Sequence, residues 1–138
     1  MAPRELGALT ETGETLEPFG KTPSGFLSYG RDGRMLGLMV SDRRPKPSDL
    51  TKVSDKDRVE LFNTLAAYGG TFEVSGTQVV HKVDISWNET WTGTTQVRDF
   101  SLDGDRLTIS IGPHVGIDGR RSTALLIFDR VQSPADVT

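Results

Sequence analysis

Glycine and proline cut this chain into short runs rich in Val, Ile, Phe, Leu and Thr, and that spacing restricts the fold more than any other feature. Fifteen glycines and seven prolines stand in 138 residues, most of them between the runs, which is the rhythm of antiparallel β structure. Two hairpins are predicted directly. Strands at Gly25–Gly30 and Arg34–Val40 flank Arg31-Asp32-Gly33, and strands at Gln96–Leu102 and Arg106–Ile111 flank Asp103-Gly104-Asp105. In each, a glycine supplies the positive φ of a tight turn. Val74-Ser75-Gly76-Thr77 joins a strand at Gly70–Val74 to one at Gln78–Ile85, and a last strand runs over Arg121–Arg130. Weaker signals mark Leu6–Leu9 and Thr15–Glu17.

One segment has a different period. From Ser54 to Tyr68 the residues Val59, Phe62, Leu65 and Ala66 recur at helical spacing. Ser54 is placed to cap the start, Asp55 and Asp57 complement the helix dipole, and Gly69-Gly70 is expected to end the helix near residue 68. The polar stretch Ser41 to Lys52, with Pro45 and Pro47, reads as a crossing loop. Eight or nine strands and one helix predict a mainly β chain closed into an antiparallel barrel, because closure removes the edges that a sandwich would have to protect. About eight strands leave an interior wide enough for one small ligand. The whole chain, 1–138, is expected to be one domain, with 1–12 and 133–138 loosely held.

The net charge of −3 argues against a nucleic-acid partner. The apolar runs are far shorter than the roughly 20 residues of a membrane span, and MAPRELGALTETG lacks the apolar stretch of a secretion signal; a cytoplasmic chain is expected. There is no cysteine. HExxH, GxSxG, P-loop and GxGxxG patterns are missing, so neither a metal nor any other cofactor is expected. His114, after Gly112-Pro113, reads as a solvated loop residue.

Alternation then sorts the strand residues by face. His81 shares a face with Val79, Val83 and Ile85 and points inward. Arg98 and Gln96 share a face with Phe100 and Leu102. An inward arginine is the least expected residue of the chain, since an unpaired buried guanidinium is costly. It requires a carboxylate, for which Glu73, Asp84 and Glu89 are candidates, several carbonyl oxygens or a bound anion, unless it snorkels to the barrel rim. Trp87 and Trp91 either stack on a planar ligand or close one end of the barrel. Tyr29, Met35, Met39, Phe62 and Tyr68 are either pocket walls, because aromatic and Met side chains adapt to ligand shape, or plain core.

The stretches Glu17-Pro18-Phe19-Gly20, Pro23 to Tyr29, Asp32-Gly33-Arg34-Met35 and Tyr68 to Val74 together resemble the small bacterial and fungal lipocalin-like domain. The most specific part is Val80-His81-Lys82-Val83 followed by Trp91-Thr92-Gly93-Thr94-Thr95-Gln96-Val97-Arg98. The resemblance runs from about Leu16 to Val131. It implies a calycin-type barrel with a central cavity for a small, largely apolar molecule, and it puts His81 and Arg98 near that cavity. The Gly-x-Trp opening usual in the group is missing, which implies a first strand either truncated or completed by a partner chain, and a barrel edge through which a homodimer can form.

Two functional expectations follow, beside the bland third of a structural barrel whose interior is simply filled. As a binding module, the barrel holds a hydrophobic or amphipathic metabolite, with Arg98 and Gln96 meeting its oxygen and Phe100, Leu102, Met35, Met39, Trp87 and Trp91 supplying walls. As a cofactor-independent cyclase, isomerase or lyase, it turns over a polyketide-like, terpenoid or phenolic substrate. His81 is then general acid or base, Arg98 the oxyanion stabiliser and Tyr29 a hydrogen-bond donor.

Overall fold

The computed structural model describes residues 2–10, 15–115, 119 and 121–131. Nine antiparallel strands form one sheet: β1 (Ala2–Thr10), β2 (Thr15–Leu16), β3 (Ser24–Tyr29), β4 (Arg34–Val40), β5 (Leu65–Ser75), β6 (Gln78–Ser86), β7 (Thr95–Asp103), β8 (Arg106–Val115) and β9 (Arg121–Asp129). Their order is β2-β1-β9-β8-β7-β6-β5-β4-β3. From β3 onwards each strand pairs with the next in sequence, and the sheet curls until β1 lies alongside β3, giving the expected barrel.

The tight turns fall where the glycines predict them. Gly76 and Gly104 each open a two-residue loop with φ of 60° and 59°, the requirement of a type II′ hairpin. The first strand is longer than expected. β1 pairs with β9 from Ala2 to Thr10 and with β2 on its other side, so most of the N-terminal stretch expected to be loosely held is strand. Residues 11–14 and the tail at 132–138 lie outside the described residues.

The helix is shorter than its periodicity suggests. Helix α1 spans Asp55–Asn63. Ser54 caps it as expected, its hydroxyl accepting from the Asp57 N–H at 3.1 Å. The end comes at Thr64, whose hydroxyl donates to the Glu60 carbonyl at 2.6 Å, rather than at Gly69-Gly70. Leu65 and Ala66 belong to β5, where Ala66 is core. The helix buries none of its residues, and Val59 and Phe62 are exposed, so its spacing reflects no packed face. Strand pairing with β4 and β6 takes over the segment that local periodicity assigned to the helix.

Two bulges break the alternation. Gly70 faces Val83 and Gly69 faces Ile85, so Asp84 is the extra residue. This turns Ile85 outward, 64% exposed, against its expected inward position. Gly70 is required there, because a Cβ would stand 1.9 Å from the Lys82 carbonyl oxygen. The second lies between Ile111 and His114. Pro113 has no N–H to give to a ladder, and the chain passes it as a bulge within β8. His114 is therefore a half-buried strand residue rather than a loop residue.

The core is built from alternate inward residues, among them Leu27, Met35, Met39, Tyr68, Val83, Ile109 and Phe128. A Cβ added at Gly37 would make ordinary contact with the Leu27 and Tyr68 side chains, at 3.5 and 3.6 Å. No described helix is long and apolar enough to cross a membrane.

Candidate functional site

Arg98 and His81 are both buried inside the barrel, 8% and 1% exposed, as the alternation of β6 and β7 predicts. Arg98 has no carboxylate partner among the described residues. Its guanidinium donates to the Gln96 side-chain oxygen at 2.9 Å and the Val97 carbonyl at 3.3 Å. The carboxylates proposed for it face outward and bond elsewhere: Glu73 with Lys82 at 3.6 Å, Asp84 with Arg34 at 2.9 Å, and Glu89 with the Thr92 hydroxyl at 3.4 Å. Gln96 is fully engaged in this arrangement, its amide donating to the Thr94 hydroxyl at 2.8 Å.

His81 sits between two tyrosines. Its Nε2 lies 2.6 Å from the Tyr29 hydroxyl and its Nδ1 lies 3.0 Å from the Tyr68 hydroxyl. Tyr29 ends β3 across the interior, and Tyr68 lies on β5 beside the Gly70 bulge. Burial pushes the His81 pKa down to about 4, and the nearby Arg98 charge adds to this, so the imidazole is neutral at neutral pH. Burial raises both phenols, with Tyr68 raising Tyr29 further and Arg98 opposing the shift. Burial likewise lowers the Arg98 pKa, opposed by Tyr68 and Tyr29. The result is a positive charge beside three neutral, hydrogen-bonding groups, in a place that water screens poorly. Such a cluster can orient an oxygen and stabilise negative charge developing on it.

An apolar cavity of ≈ 260 Å³ lies at the barrel end formed by the β5–β6 and β7–β8 hairpins, and it is partly open to solvent. Its walls are Phe72, Val74, Val79, Phe100, Leu102 and Leu107, with Tyr29 among them and Arg130 at the rim. Arg98 does not line it, but Val79, its cross-strand neighbour, and Phe100, the next inward residue of β7, both do. Tyr29 joins the cavity to the polar cluster.

Of the residues singled out in the sequence, Tyr29, His81, Arg98, Gln96 and Phe100 come together here. Met35, Met39 and Tyr68 are buried core. Trp87 and Trp91 lie at the opposite end, packed edge to face at 5.1 Å, with Trp91 against Tyr68 and Trp87 donating to the Phe62 carbonyl at 3.3 Å. They close that end of the barrel under the helix. Sequence reasoning did not single out Phe72, Val74, Val79 or Arg130. The first three carried a signal, the inward parity of β5 and β6. Arg130 carried none, since it lies just beyond β9.

The curled antiparallel sheet agrees with what the comparison of the chain with protein families finds: a lipocalin-like domain matches residues 8–131. The chain belongs to the lipocalin-like domain family. A comparison with curated proteins found no match. The lipocalin-like fold is consistent with binding of small hydrophobic ligands.

Proposed function

We propose that this lipocalin-like chain holds one small, largely apolar molecule in the hairpin end of the barrel, with its oxygen-bearing end turned towards Tyr29, His81 and Arg98. The observation that carries the proposal is Arg98: a buried guanidinium with only neutral partners among the described residues, next to an apolar cavity. Burying such a charge costs stability, and a packing role alone gives nothing back for it. In this reading Phe100 is a wall, Gln96 holds Arg98 in place, and Met35, Met39, Tyr68, Trp87 and Trp91 support the site from behind. The test is binding by variants. Arg98→Met and Tyr29→Phe weaken binding of the molecule that co-purifies with the wild type while keeping its β-sheet circular dichroism. Undiminished binding by both sinks the assignment.

A catalytic reading is favoured by one observation, the 2.6 Å contact between Tyr29 and the neutral His81. A phenol and an imidazole so joined can pass a proton to or from a bound substrate, and Arg98 can stabilise the enolate or phenolate that forms. In that case the barrel is a cofactor-independent isomerase, cyclase or lyase. His81→Ala and Arg98→Ala would each abolish turnover in folded protein; retained turnover in both removes them from the mechanism.

A further inference from the structure

Three neutral groups stand in a row across the barrel interior: the Tyr68 hydroxyl, the His81 imidazole and the Tyr29 hydroxyl. Each hydroxyl carries one proton and the imidazole carries one on its ring. The row has two hydrogen bonds, Tyr68 to Nδ1 and Nε2 to Tyr29, so one proton is left over. It must sit at an end of the row.

The two ends differ. Among the described residues His81 is the one hydrogen-bond partner of the buried Tyr68 hydroxyl. A surplus proton there would be a buried donor with no acceptor, which is far costlier than a change of histidine tautomer. Tyr29 borders the cavity, where a ligand or water can accept. A doubly protonated imidazole makes matters worse. It adds a second positive charge beside Arg98 with no carboxylate partner among the described residues, and it leaves both hydroxyls with surplus protons.

We infer that the protons of this row are ordered towards the cavity, with Tyr68 O–H donating to Nδ1, Nε2–H donating to Tyr29, and the Tyr29 proton held out for the ligand, so that the site selects a molecule whose polar end is a carbonyl. The order makes Tyr29 a donor, and its oxygen is already engaged by Nε2–H. Hydrogen bonds that run one way reinforce one another, and the Arg98 charge strengthens the pull on an acceptor oxygen. A carboxylate is less well served, because Arg98 stops short of the cavity wall and the wall itself is apolar.

This inference rests on the proposed ligand cavity, and two measurements separate them. The first is nitrogen-15 NMR of the wild-type imidazole. The expected spectrum has Nε2 protonated and Nδ1 bare; a protonated Nδ1 overturns the order. The second is titration with two matched probes, 2-acetylnaphthalene, a ketone, and 2-ethylnaphthalene, the corresponding hydrocarbon. The affinity ratio of ketone to hydrocarbon is expected to be about tenfold higher in wild type than in Tyr29→Phe, the worth of one hydrogen bond. Binding of both probes with a ratio that Tyr29→Phe leaves unchanged overturns the carbonyl assignment and leaves the cavity standing. Binding of neither overturns the cavity reading and the ligand class together.

Discussion

Arg98 and His81 are buried polar groups, and the sign of what each does to stability can be measured. Arg98→Met keeps the length and volume of the side chain while removing a buried charge that has no carboxylate partner among the described residues. It is expected to leave stability unchanged or raise it, by about 1–4 kcal/mol, as urea denaturation would record. A loss of several kcal/mol would mean that the guanidinium holds the barrel together. For His81 the folded pKa is about 4 against 6.5 for the free side chain. A depressed value means that the unfolded chain takes up the proton first. The contribution of neutral His81 is therefore complete above pH 6.5 and declines as pH falls towards 4, by roughly 3 kcal/mol in all. Comparing wild type with His81→Gln across that window isolates it from the carboxylates. The wild type should lose more stability than the variant over the interval, and equal losses would show that burial does not hold His81 neutral.

At the scale of the element, backbone geometry decides more than side-chain chemistry. Gly70→Ala puts a Cβ 1.9 Å from the Lys82 carbonyl oxygen, a backbone atom that cannot swing aside. The Asp84 bulge must then open, and a loss of about 2 kcal/mol or more is expected in the denaturation midpoint. A neutral Gly70→Ala would show that β5 and β6 approach less closely there. The same bulge marks the limit of what the residues disclosed in advance. Alternation put Val79, His81, Val83, Gln96, Arg98 and Phe100 on the inner face correctly, because a period of two survives wherever the ladder is regular. It failed at Ile85 because one inserted residue reverses the parity, and nothing in the sequence marks the insertion. The helix was legible at its start, where Ser54 supplies a local cap. Its end was not, because pairing with β4 and β6 draws Leu65 to Tyr68 into a strand, a long-range effect that no local pattern carries. The arginine without a counter-charge was legible only in half. Its inward direction could be read, but the outward ion pairs that engage Glu73 and Asp84 depend on register.

At the scale of the molecule, the barrel divides its interior unequally. One end is occupied by Tyr68, Trp87 and Trp91, with the helix beside them; the other keeps a cavity of ≈ 260 Å³ walled by Phe72, Val79, Phe100 and Leu107. The polar cluster lies between them and meets the cavity at Tyr29. A ligand that binds the folded barrel and not the unfolded chain raises stability by mass action, so the melting temperature should rise with ligand concentration and the rise should shrink in Arg98→Met. The central claim is that this cavity has an occupant with an oxygen directed at the cluster. The most direct measurement is native mass spectrometry of the chain purified from its own host, followed by denaturing extraction and identification of what is released. The predicted result is one small, mainly apolar, oxygen-bearing molecule per chain, lost or sharply reduced in Arg98→Met and Tyr29→Phe. A chain that carries nothing and takes up neither naphthalene probe would contradict the claim, and the barrel would then be a filled one whose buried arginine serves some end other than ligand binding.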